Sequence, residues 1–159
     1  MVVAVFQVVE AAVEAAVDGK NTMHCPFCAP EIQKRIIHEG KHVFAVLSDP
    51  RLVPGHLLII PKRHVLSLSE LKTAERSELM RTAIKFQELI VKNIAPGCDM
   101  RQNYRPFLPQ SRTKVDHVHI HLLPRFFEDE LYTKSMKFET GLFEDLKAAE
   151  RKKFEKIYS

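Results

Sequence analysis

The 159-residue sequence has no long apolar run, no low-complexity stretch and only three cysteines. No apolar stretch approaches the ~20 residues of a membrane-spanning helix, which excludes an integral membrane protein of helical type. The hydrophobic N-terminus lacks the basic residues that open a signal peptide, and acidic residues interrupt it, so it predicts an amphipathic helix over residues 1–20. Three cysteines without an export signal exclude a disulfide framework and predict a reduced, cytoplasmic protein.

The charge balance is mild, since 24 Lys and Arg residues against 20 Asp and Glu residues give a formal net charge of +4. An excess this small does not by itself indicate nucleic-acid binding. The short basic run RKKFEK near the C-terminus is typical of a solvated helix face. A content of 45% hydrophobic and 28% charged residues is that of a globular protein with one core.

The residue pattern predicts neighbouring strands and one long helix. Two strands joined by a tight turn, the second at Val43–Leu47, precede a buried strand within HLLIIPK. Apolar residues at steps of three and four predict a helix from Thr73 to Ile94, with Thr73 as its N-cap. A short strand in MRQNY, a strand in VDHVHIHLL and a charged helical tail over residues 143–157 complete the pattern. It indicates an α+β fold with an antiparallel sheet.

In the stretch DHVHIHLL, His117, His119 and His121 alternate with apolar residues. Successive side chains on a strand point to opposite faces, so the three imidazoles would share one face at spacings of about 6.6–6.8 Å. A single histidine there is most often a hydrogen-bonded structural residue, whereas three in register favour a function. Metal binding and nucleophilic attack on phosphorus both suit neutral imidazoles, and the spacing does not choose between them.

The pair Cys25 and Cys28, within CPFC, is a second feature with its own chemistry. Such a pair can bring two thiolates to one metal ion, and zinc takes four ligands, so two histidines would complete the site. The alternatives are two buried cysteines or a redox dithiol, although CPFC does not follow a strand of a βαβ unit. The residues alone leave several candidates for the remaining ligands: His24, His38, His42, His56, His64 and one member of the row.

The motif HVHIHLL resembles the signature of the histidine-triad nucleotide hydrolases and transferases. The segment VFAVLSDPRLVPGHLLIIPKRHV and the LPR after the triad are also similar to that family, and the resemblance covers roughly residues 25–125. It implies a five-stranded antiparallel sheet with one long helix, usually in a homodimer. Residues 21–126 would form the family's domain, with helical extensions over 1–20 and 127–159 as parts of the same single domain.

The resemblance also implies roles for individual residues. His119 would attack the α-phosphate of a nucleotide and form a nucleotidyl-histidine intermediate, with His121 orienting it and acting at the phosphate. His56 matches the family's Gly-His position near the site and would lie next to the catalytic histidines without itself contacting the substrate. A structural zinc ion is implied, which selects ligands among the open candidates: Cys25, Cys28, His64 and His117.

Two positions depart from the family pattern. The glutamine that the hydrolase branch carries shortly before the triad is replaced by Thr113, and the loop that contains it is longer. The Asp or Asn that contacts the ribose is replaced by Ser48, with Asp49 beside it. The candidate substrate-binding residues are therefore altered from the family's: Ser48, Asp49, Asn103, Gln110, Ser111, Arg112, Thr113 and Lys114.

Together these features predict a nucleotide hydrolase or nucleotidyltransferase, with a dinucleoside polyphosphate or a nucleoside phosphoramidate as substrate. Because of the altered positions, a zinc-stabilised nucleotide-binding module with little or no catalytic activity is the alternative. A nucleic-acid or protein-interaction factor that uses the basic tail is a third hypothesis, and one short basic run is weak support for it.

Overall fold

The computed structural model describes residues 25–158, and the helix predicted for residues 1–20 lies outside them. The chain divides between Phe126 and Phe127 into two compact units. Among the helices between residues 25 and 158, none is both long enough and apolar enough to cross a membrane.

Residues 25–126 form a five-stranded antiparallel sheet and one long helix. The strands are β1 (Ile36–Glu39), β2 (Val43–Leu47), β3 (Leu57–Pro61), β4 (Gly97–Arg101) and β5 (Ile120–Arg125). Across the sheet they lie in the order β1-β2-β3-β5-β4, and each neighbouring pair is antiparallel. Helix α1 spans Thr73–Asn93, between β3 and β4 in the chain. The predicted α+β fold is confirmed.

Each face of the sheet is covered by its own apolar cluster. On one face, α1 buries Leu79 against Ile59 and Leu122. On the other face, Phe27 and residues near it pack against Phe44 and its neighbours on β2 and β3. Full burial of a side chain such as Ile59 stabilises the fold by roughly 1.5–3 kcal/mol. Because strand residues alternate in direction, the odd-numbered side chains of β5 lie on the face away from α1.

The strand that contains the histidine row is shorter than predicted, because β5 begins at Ile120 and the row's first two histidines precede it. The register of β3 and β5, continued by two residues, would place Pro61 opposite Val118. Proline has no N–H to donate, so the ladder cannot continue there. The Val118 N–H donates instead to the Val65 carbonyl at 2.8 Å. The histidine row therefore straddles the beginning of the strand.

The start of α1 differs from the prediction as well. Lys72 occupies the cap position, so the role predicted for Thr73 was wrong. The Glu75 carboxylate accepts the Lys72 N–H at 2.7 Å and also accepts hydrogen bonds from the Arg63 guanidinium at 2.7 and 3.0 Å. The Arg63 hydrogen bonds, followed by the one from Lys72, lower the pKa of Glu75 to about 2. These hydrogen bonds connect the first turn of α1 to Arg63, in the segment that follows β3.

Residues 127–158 contain a run of helical turns and one longer helix. Tyr132–Met136 is π-helical, Lys137–Glu139 is α-helical and Thr140–Leu142 is a 3-10 turn. The helix predicted over residues 143–157 is found at Ala148–Tyr158. The described side chains of this unit are exposed or half-buried.

Candidate functional site

Four side chains that can ligate a metal meet on the sheet face away from α1. Their ligand atoms all lie within 4.8 Å of one another: Cys25, Cys28, His64 and His117. Cys25 Sγ lies 3.4 Å from His117 Nδ1, while Cys28 Sγ lies 3.6 Å from that nitrogen and 3.4 Å from His64 Nδ1. The four residues implied by the family resemblance are therefore brought together, and they could hold one metal ion.

Local structure positions these ligands. Cys25 and Cys28 share a turn in which the Cys28 N–H donates to the Cys25 carbonyl at 3.0 Å. His117 Nε2 lies 2.9 Å from the Pro61 carbonyl oxygen, which can only accept, so Nε2 carries the hydrogen and the Nδ1 lone pair faces the sulfurs. Desolvation, and then the neighbouring Cys25, raise the pKa of the Cys28 thiol to about 11. A bound cation would favour the thiolate and offset that cost.

His119 lies next in the row and presents a lone pair. Its Nδ1 lies 2.6 Å from the His117 carbonyl oxygen, so Nδ1 donates and Nε2 keeps its lone pair. Burial lowers the pKa of His119, which favours the neutral ring at pH 7. The Phe27 ring packs edge-on against it, with ring centroids 5.2 Å apart. The neutral His119 ring therefore keeps its Nε2 lone pair unprotonated at pH 7.

A chain of hydrogen bonds sets the tautomer of His121. The Leu52 N–H donates to His56 Nδ1 at 3.1 Å, so the neutral His56 ring carries its hydrogen on Nε2. His56 Nε2 lies 2.9 Å from His121 Nδ1 and donates to it, which leaves the His121 hydrogen on Nε2. Burial, followed by the nearby His119, lowers the pKa of His56 to about 4 and that of His121 to about 3. Both rings are therefore neutral at pH 7.

The two residues predicted for ribose binding follow β2. The Ser48 hydroxyl donates to the Pro50 carbonyl at 2.8 Å, and the Ser48 N–H donates to the His56 carbonyl at 2.9 Å. Ser48 is thus joined through the backbone to the residue that aligns His121. Asp49 is exposed, and its peptide bond to Pro50 is cis.

The other predicted substrate-binding residues lie in the long loop between β4 and β5. The Ser111 hydroxyl accepts the N–H groups of Thr113 and Lys114 at 3.3 and 3.2 Å, which closes a turn. Lys114 is half-buried, and its ammonium group pairs with Asp116. Four of the predicted residues in this loop are exposed to solvent: Asn103, Ser111, Arg112 and Thr113.

Arg101 is a residue near the row that the sequence predictions did not include among the site residues. It lies on β4 directly opposite His121 on β5. Its guanidinium charge contributes, after burial and the neighbouring histidines, to the low pKa of His121 and of His56. Alternation along β4 could have placed Arg101 on a defined face. Its alignment with His121 depends on the register of two strands separated by a long loop, which the sequence does not reveal.

Comparison with known proteins places this site in a family. A family model described as the HIT domain matches residues 29–128. The chain is 30% identical over 108 residues to a HIT-like protein of Methanocaldococcus jannaschii, which covers 66% of this chain and 81% of that protein. It is 27% identical over 123 residues to the asymmetrical bis(5'-nucleosyl)-tetraphosphatase of Schizosaccharomyces pombe, covering 69% of this chain and 62% of that relative, less than two thirds of its length.

A solved structure of a zinc-bound histidine triad family protein from Mycobacterium smegmatis aligns with a TM-score of 0.56 at 25% identity. The alignment covers 69% of this chain and 81% of that one. The family model contains all five strands, α1 and the complete histidine row, while Cys25 and Cys28 precede its first residue. Because the model matches more than half of the sequence, this chain belongs to the HIT family.

Proposed function

We propose that the protein is a nucleotide hydrolase or nucleotidyltransferase that acts at the α-phosphate through a nucleotidyl-His119 intermediate. The observation that carries the proposal is a pair of tautomers set by hydrogen bonds. The His117 carbonyl leaves the lone pair of His119 on Nε2, and His56 leaves an N–H on Nε2 of His121. A nucleophile and a hydrogen-bond donor thus stand side by side, with ring centroids 4.6 Å apart.

In the first step, the Nε2 lone pair of His119 forms a bond to phosphorus, and the leaving group departs with the electron pair of its own bond to phosphorus. The ring gains positive charge as it reacts, and the His117 carbonyl oxygen, 2.6 Å from Nδ1, stabilises that charge. The Nε2–H of His121 donates to a phosphate oxygen. In the second step, the oxygen of water or of another acceptor forms a bond to phosphorus and gives its proton to solvent. The bond between phosphorus and Nε2 breaks, and its electron pair returns to the neutral His119 ring.

The proposed substrates carry a phosphate with a good leaving group, as in dinucleoside polyphosphates and nucleoside phosphoramidates. A polyphosphate substrate is supported by the S. pombe relative, which is named as a tetraphosphatase. Ser48 and Asp49 are the proposed ribose contacts. The loop between β4 and β5 supplies the proposed phosphate contacts: Asn103, Arg112, Thr113 and Lys114.

We also propose that the Cys25, Cys28, His64 and His117 cluster holds a structural zinc ion. A tetrahedral site with Zn–S bonds of about 2.3 Å and Zn–N bonds of about 2.0 Å places sulfur and nitrogen roughly 3.5 Å apart. The sulfur–nitrogen distances here are 3.4–3.6 Å. Four protein ligands fill the coordination shell, so the ion would stabilise the fold rather than contact substrate. The zinc-bound M. smegmatis structure supports this choice of metal, and a reducing cytoplasm would keep the free thiols available.

The proposed homodimer would form along β4, which lies at one edge of the sheet. Exposed apolar side chains follow one side of helix α1 and the residue after it: Met80, Ile84, Val91 and Ile94. Gln87, on that side of α1, donates to the Cys98 carbonyl on β4 at 3.4 Å, so that side adjoins the strand. Two antiparallel β4 edges can pair about a two-fold axis. Analytical ultracentrifugation should show a dimer that Ile84→Glu converts to monomer, and a monomeric unmutated protein would contradict this.

The catalytic proposal is tested by incubating the purified protein with a panel of diadenosine polyphosphates and adenosine 5'-phosphoramidate. Chromatography measures product, and intact mass spectrometry after a rapid, non-acidic quench measures the nucleotidyl adduct. We expect turnover and an adduct in the unmutated protein, and neither in His119→Ala or His119→Gly. The matched control is His38→Ala, which removes a histidine that packs against Phe86 of α1.

Two outcomes would decide against the mechanism. Undiminished turnover in the His119 variants would exclude His119 as the nucleophile. Nucleotide binding without product or adduct across the panel would favour the zinc-stabilised binding module. Melting temperature and zinc content are measured on every variant, so that loss of fold is distinguished from loss of chemistry.

A further inference from the structure

We infer that a cleft between α1 and the turn from β1 to β2 binds a small molecule with at least two negative charges, such as an organic phosphate. This basic cleft is lined by residues of the turn, among them Lys41, and by residues of α1, among them Arg81, Thr82 and Lys85. It lies on the face of the sheet that α1 covers, whereas the histidine row lies on the other face. The site is therefore separate from the proposed catalytic one.

The basic cleft has the size of a small-molecule site. Its volume is about 790 Å³, and ligand pockets span roughly 300–1,000 Å³. The Thr82 side chain lines the cleft and is only 7% exposed, so the cavity extends below the surface of the protein. A stable protein partner would instead bury about 800 Å² on each side, so the dimensions of the cleft favour a small molecule.

Hydrogen bonds hold the turn against the helix, so the cleft is formed before a ligand binds. Both carboxylate oxygens of Glu78 accept the His42 N–H, each at 3.1 Å. The Gly40 N–H donates to the Val43 carbonyl at 2.8 Å, and a Cβ on Gly40 would displace the Glu78 carboxylate from its position beside the turn. A preformed site loses little free energy to ordering when its ligand binds.

Cationic side chains stand on both walls of the cleft. Lys41 belongs to the turn, and Arg81 and Lys85 lie four residues apart on α1. Within residues 25–158, none of the three forms an ion pair with a carboxylate. Glu78 and Glu88 also line the cleft, so three cations against two carboxylates leave a formal charge of +1. Because the Glu78 carboxylate already accepts a hydrogen bond from the turn, donors dominate among the groups that face a ligand, and donors suit an anion.

The arrangement of these cations favours a ligand with more than one negative charge. Arg81 Nη1 donates to the Ser77 hydroxyl at 3.4 Å. A guanidinium has five N–H donors in a planar fork, so Arg81 can also form a bidentate pair with a phosphate. Lys85 is four residues further along α1, and side chains at that spacing are neighbours on a helix surface. An ammonium group on Lys41 faces them from the turn, so a phosphate in the cleft would meet cations from two sides.

Nuclear magnetic resonance can map the site on the unmutated protein. Amide shifts of isotope-labelled protein are followed during titration with inorganic pyrophosphate and, separately, with ribose 5-phosphate, at about 0.1 M salt, where charges beyond about 10 Å are screened. We expect saturable shifts at residues 40–43 and 77–88. Shifts at residues 117–121 are fitted separately, so binding at the histidine row does not count toward the cleft.

A pair of double variants tests the cations. Arg81→Gln/Lys85→Gln removes both cations from the helix wall, and it should weaken pyrophosphate binding at residues 40–43 about tenfold or more. The matched control is Arg76→Gln/Lys92→Gln, which removes the same two residue types from exposed positions of α1 outside the cleft. The control should bind pyrophosphate as tightly as the unmutated protein does.

The inference is overturned if neither phosphate shifts residues 40–43 and 77–88, if the shifts are confined to residues 117–121, or if the two double variants bind equally. Tighter binding of a glutamate-rich peptide than of either phosphate would overturn it in favour of an acidic protein partner. Should Arg81→Gln/Lys85→Gln fail to fold, the mapping on the unmutated protein decides alone. Saturable shifts in the cleft without turnover of any nucleotide would defeat the proposed function and support this site.

Discussion

His117 and His121 stand at opposite ends of one row, yet their surroundings differ in kind. His117 faces the Cys25 and Cys28 sulfurs, whereas His121 faces His56 and lies opposite Arg101. A hydrogen bond occupies one ring nitrogen at each end, and the other nitrogen determines the chemistry. At His117 a lone pair on Nδ1 remains for a metal, and at His121 an N–H on Nε2 remains for an anion. Identical residues in one motif thus differ in the ring nitrogen that remains available, because the acceptors and donors around them differ.

The largest expected effect is a loss of stability on disrupting the His117 end of the row, called the thiol end because His117 faces the Cys25 and Cys28 sulfurs. Cys25→Ser would remove one buried sulfur ligand of the proposed zinc ion, and a chelator would remove the ion itself. Because structural zinc contributes its binding free energy to folding, either change should destabilise the protein by on the order of several kcal/mol. Differential scanning calorimetry with and without a strong chelator measures the loss as a fall in melting temperature.

The matched control for that experiment is Cys98→Ser, since Cys98 lies on the opposite face of the sheet and packs against the apolar cluster that includes Leu79 and Leu122. Chelator should lower the melting temperature of the unmutated protein and of Cys98→Ser alike, and should leave Cys25→Ser nearly unaffected. If chelation changes none of the three, the cluster does not hold a stabilising metal.

A substitution at the His121 end of the row should lower the catalytic rate more than it lowers the stability of the fold. His56→Leu replaces the imidazole with an apolar side chain of similar size and so removes the N–H donor that sets the tautomer of His121. We expect kcat to fall about a hundredfold, the size of effect found when an acid–base group is misaligned, with a small change in KM. His56→Gln, whose amide can donate to His121 Nδ1, should recover part of the loss. Equal rates in the Leu and Gln variants would show that the hydrogen bond does not matter.

The sequence was sufficient to predict much of this contrast. Alternation in HVHIHLL predicted that the three imidazoles share a face. The Cys-x-x-Cys spacing showed that a metal needs two further ligands, and the family resemblance selected His64 and His117, which lie beside the sulfurs. The α+β class followed from local patterns of neighbouring strands and one helix, which need no knowledge of long-range pairing.

The parts that could not be predicted depend on contacts between distant segments. The position of Arg101 opposite His121 needs the register of β4 and β5 across the long loop. The late start of β5 follows from Pro61, about sixty residues earlier in the chain, which interrupts the ladder at that point. The hydrogen bonds that set the tautomer of His121 are also non-local, because Leu52 and His56 precede β3 in the chain and His121 lies 65 residues after His56. The sequence therefore predicted which residues gather at the metal-ligating cluster, whereas the tautomers of the histidines and the register of β4 and β5 could not be predicted from it.

The smallest expected effect is a pH dependence of stability that originates at the His121 end. The pKa of His56 is about 4 and that of His121 about 3 in the folded protein, against an ordinary value near 6.5, because of burial and then of the facing groups His119 and Arg101. Between pH 6.5 and 4 the unfolded chain therefore binds more protons than the folded one, so stability is full above pH 6.5 and is lost as the pH falls.

We expect stability to fall progressively below pH 6.5, measured by urea unfolding at several pH values across that window. Protonation of the proposed zinc ligands would destabilise the protein in the same range, so the informative quantity is the difference in stability between the unmutated protein and His56→Leu. The thiol end is the same in both, and its contribution cancels in the difference. The variant should lose less stability on acidification because one buried imidazole no longer has to be charged. Parallel curves for the two proteins would mean that acid sensitivity belongs entirely to the metal end of the row.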